Sequence, residues 1–510
     1  MPANLLLIAP LLLHLVGAIA CVFLWRFVRL QTVVVAIVQI TFVGISSLML
    51  QQVLTQGIQV TQIGNWHAPF GITLVADIIA ALLLLTTSIA GLAVFMFAHV
   101  ALDITRKRFG YFPLFLLLQM GVSGVCLTGD IFNLYVWFEV LLICCFALIA
   151  LGTRKTQMEG ALKYVTINFI ASGLLLTGIG VMYALYGALN LARIAEIVRD
   201  THENAHLLVL PGIFFLIGFG IKSAIFPLFF WLPASYHTPP IGISAFIAGV
   251  ISKIGVYTLL RLYTLIFSAE IGFAQPLLLV LAGLTMAVGV IGAAAQVDFR
   301  KILSFHIISQ IGYMLMGLAI YTPLAVAGSI FFVIHNMLVK TNLFLVSGVV
   351  AHRHHSFSLS RLGGAYLRHP FLSIMFLLSA LSLAGLPPLS GFWGKLMLAK
   401  GGLEAGNYIL VGTSLGVSLV TLLSMTKIWN EVFWKPRSTR LKMALKETTS
   451  TYASYFPVVF LLVFILALGF YAEPVIKLSL QSSEQLMHSE NYIDAVLKSN
   501  TIPVEPPSSP

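Results

Sequence analysis

Apolar runs of roughly twenty residues follow one another along nearly the whole chain, separated by short stretches in which charge, proline and glycine collect. As a helix, each run is long enough to cross a hydrocarbon layer about 30 Å thick. In lipid the backbone must satisfy its own hydrogen bonds, so helices are expected; a closed barrel would show short alternating strands instead. The pattern predicts an all-α polytopic membrane protein of about fourteen transmembrane helices, near 5–25, 32–54, 72–98, 112–128, 131–151, 164–186, 207–232, 241–267, 276–295, 302–320, 323–351, 371–399, 408–430 and 455–472.

Two runs are interrupted. The seventh reads Gly218-Phe219-Gly220-Ile221-Lys222-Ser223-Ala224-Ile225-Phe226-Pro227, and the twelfth reads Leu386-Pro387-Pro388-Leu389-Ser390-Gly391-Phe392-Trp393-Gly394-Lys395. Interior proline removes a helix hydrogen bond and leaves backbone groups that need protein or water partners. Gly/Pro-interrupted segments at corresponding places in two halves point to an ion path between inverted repeats. The expected repeats are helices 4–8 (about 112–267) and 9–13 (about 276–430), with the broken helix fourth in each. An odd number of helices per unit turns the second copy upside down. No linker divides residues 1–472, which read as a single transmembrane domain, and 473–510 read as a polar C-terminal tail, mobile apart from a short amphipathic piece around Gln485 to Lys498.

Charge adds the orientation. Of 510 residues only 9% are charged and 59% are hydrophobic, where a soluble domain has about 25% charged. The net charge of +11 does not point to nucleic acid, because the basic residues are scattered among short loops rather than gathered on one face. They fall mainly after odd-numbered helices: Arg26/Arg29, Arg106-Lys107-Arg108, Arg154/Lys155/Lys163, Arg300/Lys301, Arg353/Arg361/Arg368 and Lys435 to Lys446. By the positive-inside rule these connections are cytoplasmic and both termini lie on the outer side of a bacterial inner membrane. Two features run against the rule: the connection after helix seven has no Lys or Arg, and the polar stretch Leu191 to His206, read as a small surface helix, carries Arg193 and Arg199. The first run lacks a basic n-region, so it is expected to stay as helix one despite the Ala18-Ile19-Ala20-Cys21 sequence. Cys21, Cys126, Cys144 and Cys145 sit inside apolar runs with no CxxC spacing and read as core residues.

A charged side chain in mid-membrane costs at least about 2.5–3.5 kcal/mol on insertion scales, so each asks for a reason. Glu139 in helix five, Lys222 in helix seven, Lys253 in helix eight, His335 and Lys340 in helix eleven and Lys395 past the break of helix twelve form the candidate set. One reading makes them static ion pairs or snorkelling lysines that fix packing. The other makes them proton carriers, since desolvation and a nearby carboxylate act oppositely on a lysine and bring its proton within reach of neutral pH. Asp77 is a candidate either for cation binding or for pairing at a subunit contact. Asp298-Phe299-Arg300-Lys301 reads as a loop network, and His352, His354 and His355 beside Arg353 as a basic loop rather than a metal cluster. His237-Thr238-Pro239-Pro240 is expected on the outer side, either shaping a proton path or fixing a turn. HExxH, GxSxG, Walker-type and dinucleotide motifs are missing, as are flavin, haem and iron–sulfur ligand patterns, so no enzyme, metal or cofactor is indicated.

Gly129 to Glu139, Lys222 to Pro240, Asp298 to Gly312, His335 to Phe344 and Leu383 to Lys395 resemble the antiporter-like subunits shared by respiratory complex I, membrane-bound hydrogenases and Mrp cation/proton antiporters. The resemblance covers roughly 70–470 and is strongest to the Mrp type, through Gly64 to Ile72, Val136 to Leu142 and a lysine at 395; His67 stands where proline is more usual, and the tail is longer than expected. It implies fourteen helices with two inverted five-helix repeats and a proton-translocating subunit of a multisubunit Na+ (or K+)/H+ antiporter. The partners it implies are the other subunits, protons, Na+ or K+, and membrane lipid. It further implies that Glu139 pairs with Lys222, that Lys253 is the central helix-eight group, that His335 and Lys340 form a helix-eleven bridge, and that Lys395 is the terminal group. A proton-pumping subunit of a complex I or hydrogenase assembly is the alternative. Glu139, Lys222, Lys253, His335, Lys340 and Lys395 are thus expected to act as one chain.

Overall fold

The computed structural model describes residues 3–200, 207–268, 271–436 and 452–498. It is mostly helical. Eleven of the described helices are long and apolar enough to cross a membrane. In chain order the helices are α1 (Ala3–Phe23), α2 (Val28–Gln56), α3 (Ile78–Ala101), α4 (Phe112–Leu127), α5 (Ile131–Ala150), α6 (Lys155–Tyr186) and α7 in two pieces (Val209–Ser223 and Trp231–Ser235). There follow α8 (Ile241–Leu265), α9 (Ile271–Ala295), α10 (Phe299–Ile320), α11 (Pro323–His354), α12 in two pieces (Pro370–Ala384 and Ser390–Glu404), α13 (Tyr408–Ile428), α14 (Phe456–Phe470), α15 (Glu473–Met487) and α16 (Glu490–Leu497).

The third run begins later than its hydropathy predicts. Residues 73–76 form β2 (Thr73–Ala76), which pairs antiparallel with β1 (Gln59–Gln62), so a small hairpin joins the helices. The helix starts only after Asp77, whose side chain caps it by accepting from the Ala80 N–H at 3.1 Å. At Gly71 a Cβ would sit 2.0 Å from the Trp66 carbonyl oxygen, so the connection between the two strands closes only with glycine there.

Packing separates an enclosed axis from an exposed rim. α8, α10 and α11 are buried along almost their whole length, whereas α2, α9 and α13 bury well under half of theirs. The rim helices present residues such as Ile40, Ile291 and Leu419 outward, as lipid-facing helices do.

The two ends differ. One cavity at the first end is walled by Arg106, Arg154 and Pro240 from the connections after α3, α5 and α7, and by Arg300 and His352 from the helix ends that flank the connections after α9 and α11. The odd connections therefore share one end. His237 and Pro239 line the same cavity, which corrects the expectation that they lie on the opposite side from the basic loops. The reason is that α7, though broken, resumes in its second piece, which carries the chain on to the basic end. Of the basic stretch 435–446, all beyond 436 lies outside the described residues, as do 201–206; Leu191–Asp200 is the short surface helix expected there.

From Glu473 the chain continues as helix rather than as a mobile tail, and the amphipathic piece expected around Gln485 to Lys498 corresponds to α16 and the end of α15. α15 turns 77° from α14, and its small and apolar stripe, Ser479, Ser482, Ser483 and Leu486, is buried. Ser483 donates to the Pro323 carbonyl at 2.7 Å and Gln485 accepts from the Ile78 N–H at 3.3 Å, pinning α15 over the starts of α11 and α3. Tyr492, Ile493 and Val496 of α16 are buried as well. The low hydropathy that suggests a solvated tail is that of a one-sided helix. Residues 499–510 lie outside the described residues.

Several features recur along the chain. α6 and α11 are both 32 residues long. Asp130 and Asp298 cap α5 and α10 with their carboxylates, and each bridges to a residue sixty positions on, Asn190 and Ser358 respectively. The start of α6 and the end of α11 meet at the basic-end cavity, so these two helices run in opposite senses.

Candidate functional site

The first half of α7 ends with Ala224 in the left-handed region, the Ile225 N–H reaching back to the Gly220 carbonyl at 2.9 Å and the Ala224 N–H to Ile221 at 3.0 Å. That is a Schellman cap, which satisfies the last carbonyls of a helix that stops inside the protein. The Trp231 indole N–H adds a bond to the Ile221 carbonyl at 3.0 Å. Lys222, just before the cap, is thereby fixed pointing between α5 and α6. Its Nζ donates to Ser172 Oγ on α6 at 3.3 Å, and the same hydroxyl donates to Glu139 on α5. The Phe138 ring lies 5.2 Å from the ammonium.

One expectation about Glu139 is corrected here. The carboxylate faces Lys222 through the shared Ser172 hydroxyl, but it is half-buried rather than enclosed, sharing a face of α5 with the exposed Phe132, Val136 and Ile143. Its depth along the helix is legible in the sequence; which way the helix turns that face is not.

Lys253 is fully buried in α8. A π-type turn over Ile247–Ile251 widens the helix just before it, and Nζ donates to the Ala248 carbonyl at 2.6 Å. Such turns free backbone acceptors inside a helix and concentrate at functional sites. Gly249 in that turn lets α11 come close: a Cβ there would meet Thr341 Oγ1 at 2.0 Å. Thr341 is the neighbour of Lys340, so the turn that holds Lys253 also sets the distance to the next lysine.

Lys340 is fully buried, and its nearest acceptor is the Leu303 carbonyl at 3.5 Å, a marginal hydrogen bond. It lies within electrostatic range of both Lys253 and Lys395. His335, one turn and a half earlier on α11, joins Ser390 Oγ at 2.8 Å through Nδ1, and Ser390 joins Ser382 at 2.9 Å across the break of α12. Lys395 is half-buried. Its Nζ donates to the Ala384 carbonyl at 2.8 Å and to Ser418 Oγ at 3.0 Å, with the Tyr313 ring 4.6 Å away. Ala384 is the last residue before the break, so the lysine caps a carbonyl that the break sets free.

The structure adds residues that the candidate set missed. His306 on α10 is fully buried, bonded through Nε2 to Ser424 at 2.5 Å, and within electrostatic range of Lys340 and Lys395. Ser223, Ser252, Ser309, Gln310 and Asn336 carry buried side-chain atoms with no hydrogen-bond partner among the described residues, as do His306 Nδ1 and His335 Nε2. A signal existed: span ten holds Ser304, His306, Ser309 and Gln310 within seven residues. Asp77, left between two roles, pairs within the chain with Arg261 at 2.6 Å, both buried. Tyr257 and Tyr492 face the guanidinium at 5.5 and 5.2 Å. Asp298 caps α10 through the Arg300 and Lys301 N–H groups, a loop network as expected. Among the described residues no group of three or more His, Cys, Asp or Glu is placed to hold a metal ion.

The family model described as NADH:quinone oxidoreductase/Mrp antiporter, transmembrane, matches residues 128–421. The D subunit of the Na+/H+ antiporter of Alkalihalophilus pseudofirmus is 41% identical over 97% of this chain and 100% of its own length. The protein of the same name from Bacillus subtilis is 39% identical over 97% and 100%. Among solved structures, a chain of the Mrp complex from Dietzia sp. DQ12-45-1b superposes with a TM-score of 0.91 at 28% identity, covering 98% of this chain and 100% of that one.

Proposed function

The chain belongs to the NADH:quinone oxidoreductase/Mrp antiporter family and is a D-type subunit of a multisubunit Na+/H+ antiporter, and we propose that its part in that exchange is to carry protons along the buried string from Lys222 to Lys395. It is a transporter subunit, not an enzyme, and its partners are the other subunits of a hetero-oligomeric membrane complex. The full-length identity of 41% and 39% to antiporter D subunits favours the antiporter over a redox-coupled assembly.

The observation that carries the proton reading is the run of buried groups without protein partners between the two broken helices. Buried polar atoms left unpaired by protein are satisfied by water in nearly all native structures. Hydrated side chains interleaved with Lys253, Lys340, His306 and His335 make a route along which a proton passes by short steps. Lys222 loads the proton with Glu139 compensating its charge through Ser172; Lys253, then Lys340 and His335, pass it on; Lys395 is the last carrier in this chain.

The finer architecture follows the same reading. The eleven long helices, the two broken ones and α14 make fourteen spans. Residues 112–267 and 276–430 form two inverted five-helix repeats, supported by the matched lengths and opposite senses of α6 and α11 and by the paired Asp130 and Asp298 caps. Residues 1–472 make one transmembrane domain. The basic end faces the cytoplasm by the positive-inside rule, and both termini face outward.

Lys340→Ala tests the route. Cation-induced proton movement in vesicles carrying the assembled complex should fall to background, because Lys340 has no neighbour that takes over its span of the string. Normal transport with assembly confirmed would remove the central helices from the pathway.

A further inference from the structure

The basic-end cavity has a volume of about 660 Å³, within the usual size of a small-molecule site. Its walls include Arg106, Arg154 and Arg300 and, among the described residues, no Asp or Glu. Two of the arginines are partly neutralised: Arg106 donates to Asp103 at 3.0 Å, and Asp298 lies within electrostatic range of Arg300. Arg300 lies flat on the Phe357 ring at 3.6 Å, and its side chain donates to the Pro239 carbonyl at 3.4 Å. Its Nε is buried with no partner among the described residues. Tyr111, buried on the floor, carries a hydroxyl in the same condition. His237 Nδ1 is joined to the Pro233 carbonyl at 2.7 Å. Burial, then the nearby Arg300 and Lys301 charges, push its pKa down to about 4 against the opposing pull of the Pro233 hydrogen bond and of Asp298, so His237 itself is uncharged at neutral pH.

We propose that this cavity binds a phosphate-bearing anion, held by the guanidinium groups of Arg106, Arg154 and Arg300 and by the Tyr111 hydroxyl. Guanidinium forks match phosphate oxygens in pairs, and charge-assisted hydrogen bonds are the strongest ones available to such a ligand. The same wall holds apolar Phe97 and Ile241, so the ligand is either the phosphodiester headgroup of an anionic lipid or a free phosphate. The site lies outside the Lys222 to Lys395 string and does not depend on the transport reading.

The test uses the purified, assembled complex, titrated with phosphatidylglycerol or with inorganic phosphate and read by native mass spectrometry and by the midpoint of thermal unfolding. R106Q/R154Q changes two rim residues that leave the core packing alone, and Tyr111→Phe removes only the hydroxyl. The double variant should weaken binding about tenfold, and Tyr111→Phe about threefold. Phosphatidylglycerol binding that millimolar phosphate does not displace assigns the site to a lipid headgroup; displacement assigns it to free phosphate. Unchanged binding of both probes by R106Q/R154Q, or no binding of either by the unaltered complex, overturns the proposal.

Discussion

The two broken helices use one backbone device to hold lysines in two different ways. In α7 the Ala224 and Ile225 N–H groups close the first half; in α12 the Gly385 N–H reaches Ser382 at 3.1 Å and the Leu386 N–H reaches Leu381 at 3.2 Å, closing it in the same manner. Lys222 precedes its cap by two residues and faces a carboxylate through a shared hydroxyl. Lys395 follows its cap by ten residues and faces only neutral acceptors, the Ala384 carbonyl and Ser418. Among the described residues neither makes a direct ion pair. A cation compensated by a carboxylate is held more firmly than one resting on dipoles. On the proposed pathway Lys222 is therefore the storing site and Lys395 the releasing site.

The largest expected effect is common to both. Lys222→Ala and Lys395→Ala should each reduce cation-induced proton movement by at least about a hundredfold, the usual scale for losing a positioned proton-transfer group, with the complex still assembled. Retained transport in one variant alone would break the comparison, because it would confine the pathway to the other half.

Glu139 separates the halves. Glu139→Gln removes the negative charge that faces Lys222 and leaves Lys395 untouched. Transport should fall about tenfold at neutral pH, with the residual activity moved toward acidic pH, since a proton must then load without a compensating anion. Glu139→Asp keeps the charge with a shorter reach and should be intermediate. The readout is proton movement against pH in vesicles, with assembly checked in parallel; an unchanged profile in Glu139→Gln would remove the carboxylate from the mechanism.

Much of this was legible in the sequence, for reasons that also mark its limits. Membrane spans announce themselves through hydropathy, and breaks through Gly and Pro, so the helical body and the positions of Lys222 and Lys395 beside interruptions follow from the chain directly. The direction a helix face points does not. Glu139 reads as deep by its place in a span, yet it is half-buried on a face with Phe132 and Val136. Partners brought by other helices are equally hidden: Ser172 is an ordinary serine in an apolar run until α6 places it between two charges, and Arg261 stands 184 residues from Asp77. α15 and α16 fail the hydropathy test because only one side of each is buried.

Ser172 gives the finest test. It lies seventeen residues after the first residue of α6, as Lys340 lies seventeen after the first of α11, so one half has a hydroxyl where the other has an ammonium. Ser172→Ala removes the side-chain hydrogen bond of Lys222 Nζ and the bridge to Glu139 together. Of the two, the bond that Lys222 itself loses is worth about 1 kcal/mol net, which corresponds to at least roughly a fivefold fall in transport. Ser418→Ala is the matched change at the second break, and there Lys395 keeps the Ala384 carbonyl at 2.8 Å. Its effect should stay below about twofold. Ser172→Thr restores the hydroxyl and should recover most of the activity, which a packing defect at Ser172 would not allow. Equal losses at the two serines would mean that the hydroxyl between Glu139 and Lys222 relays nothing, and that the two lysines are held in equivalent ways after all.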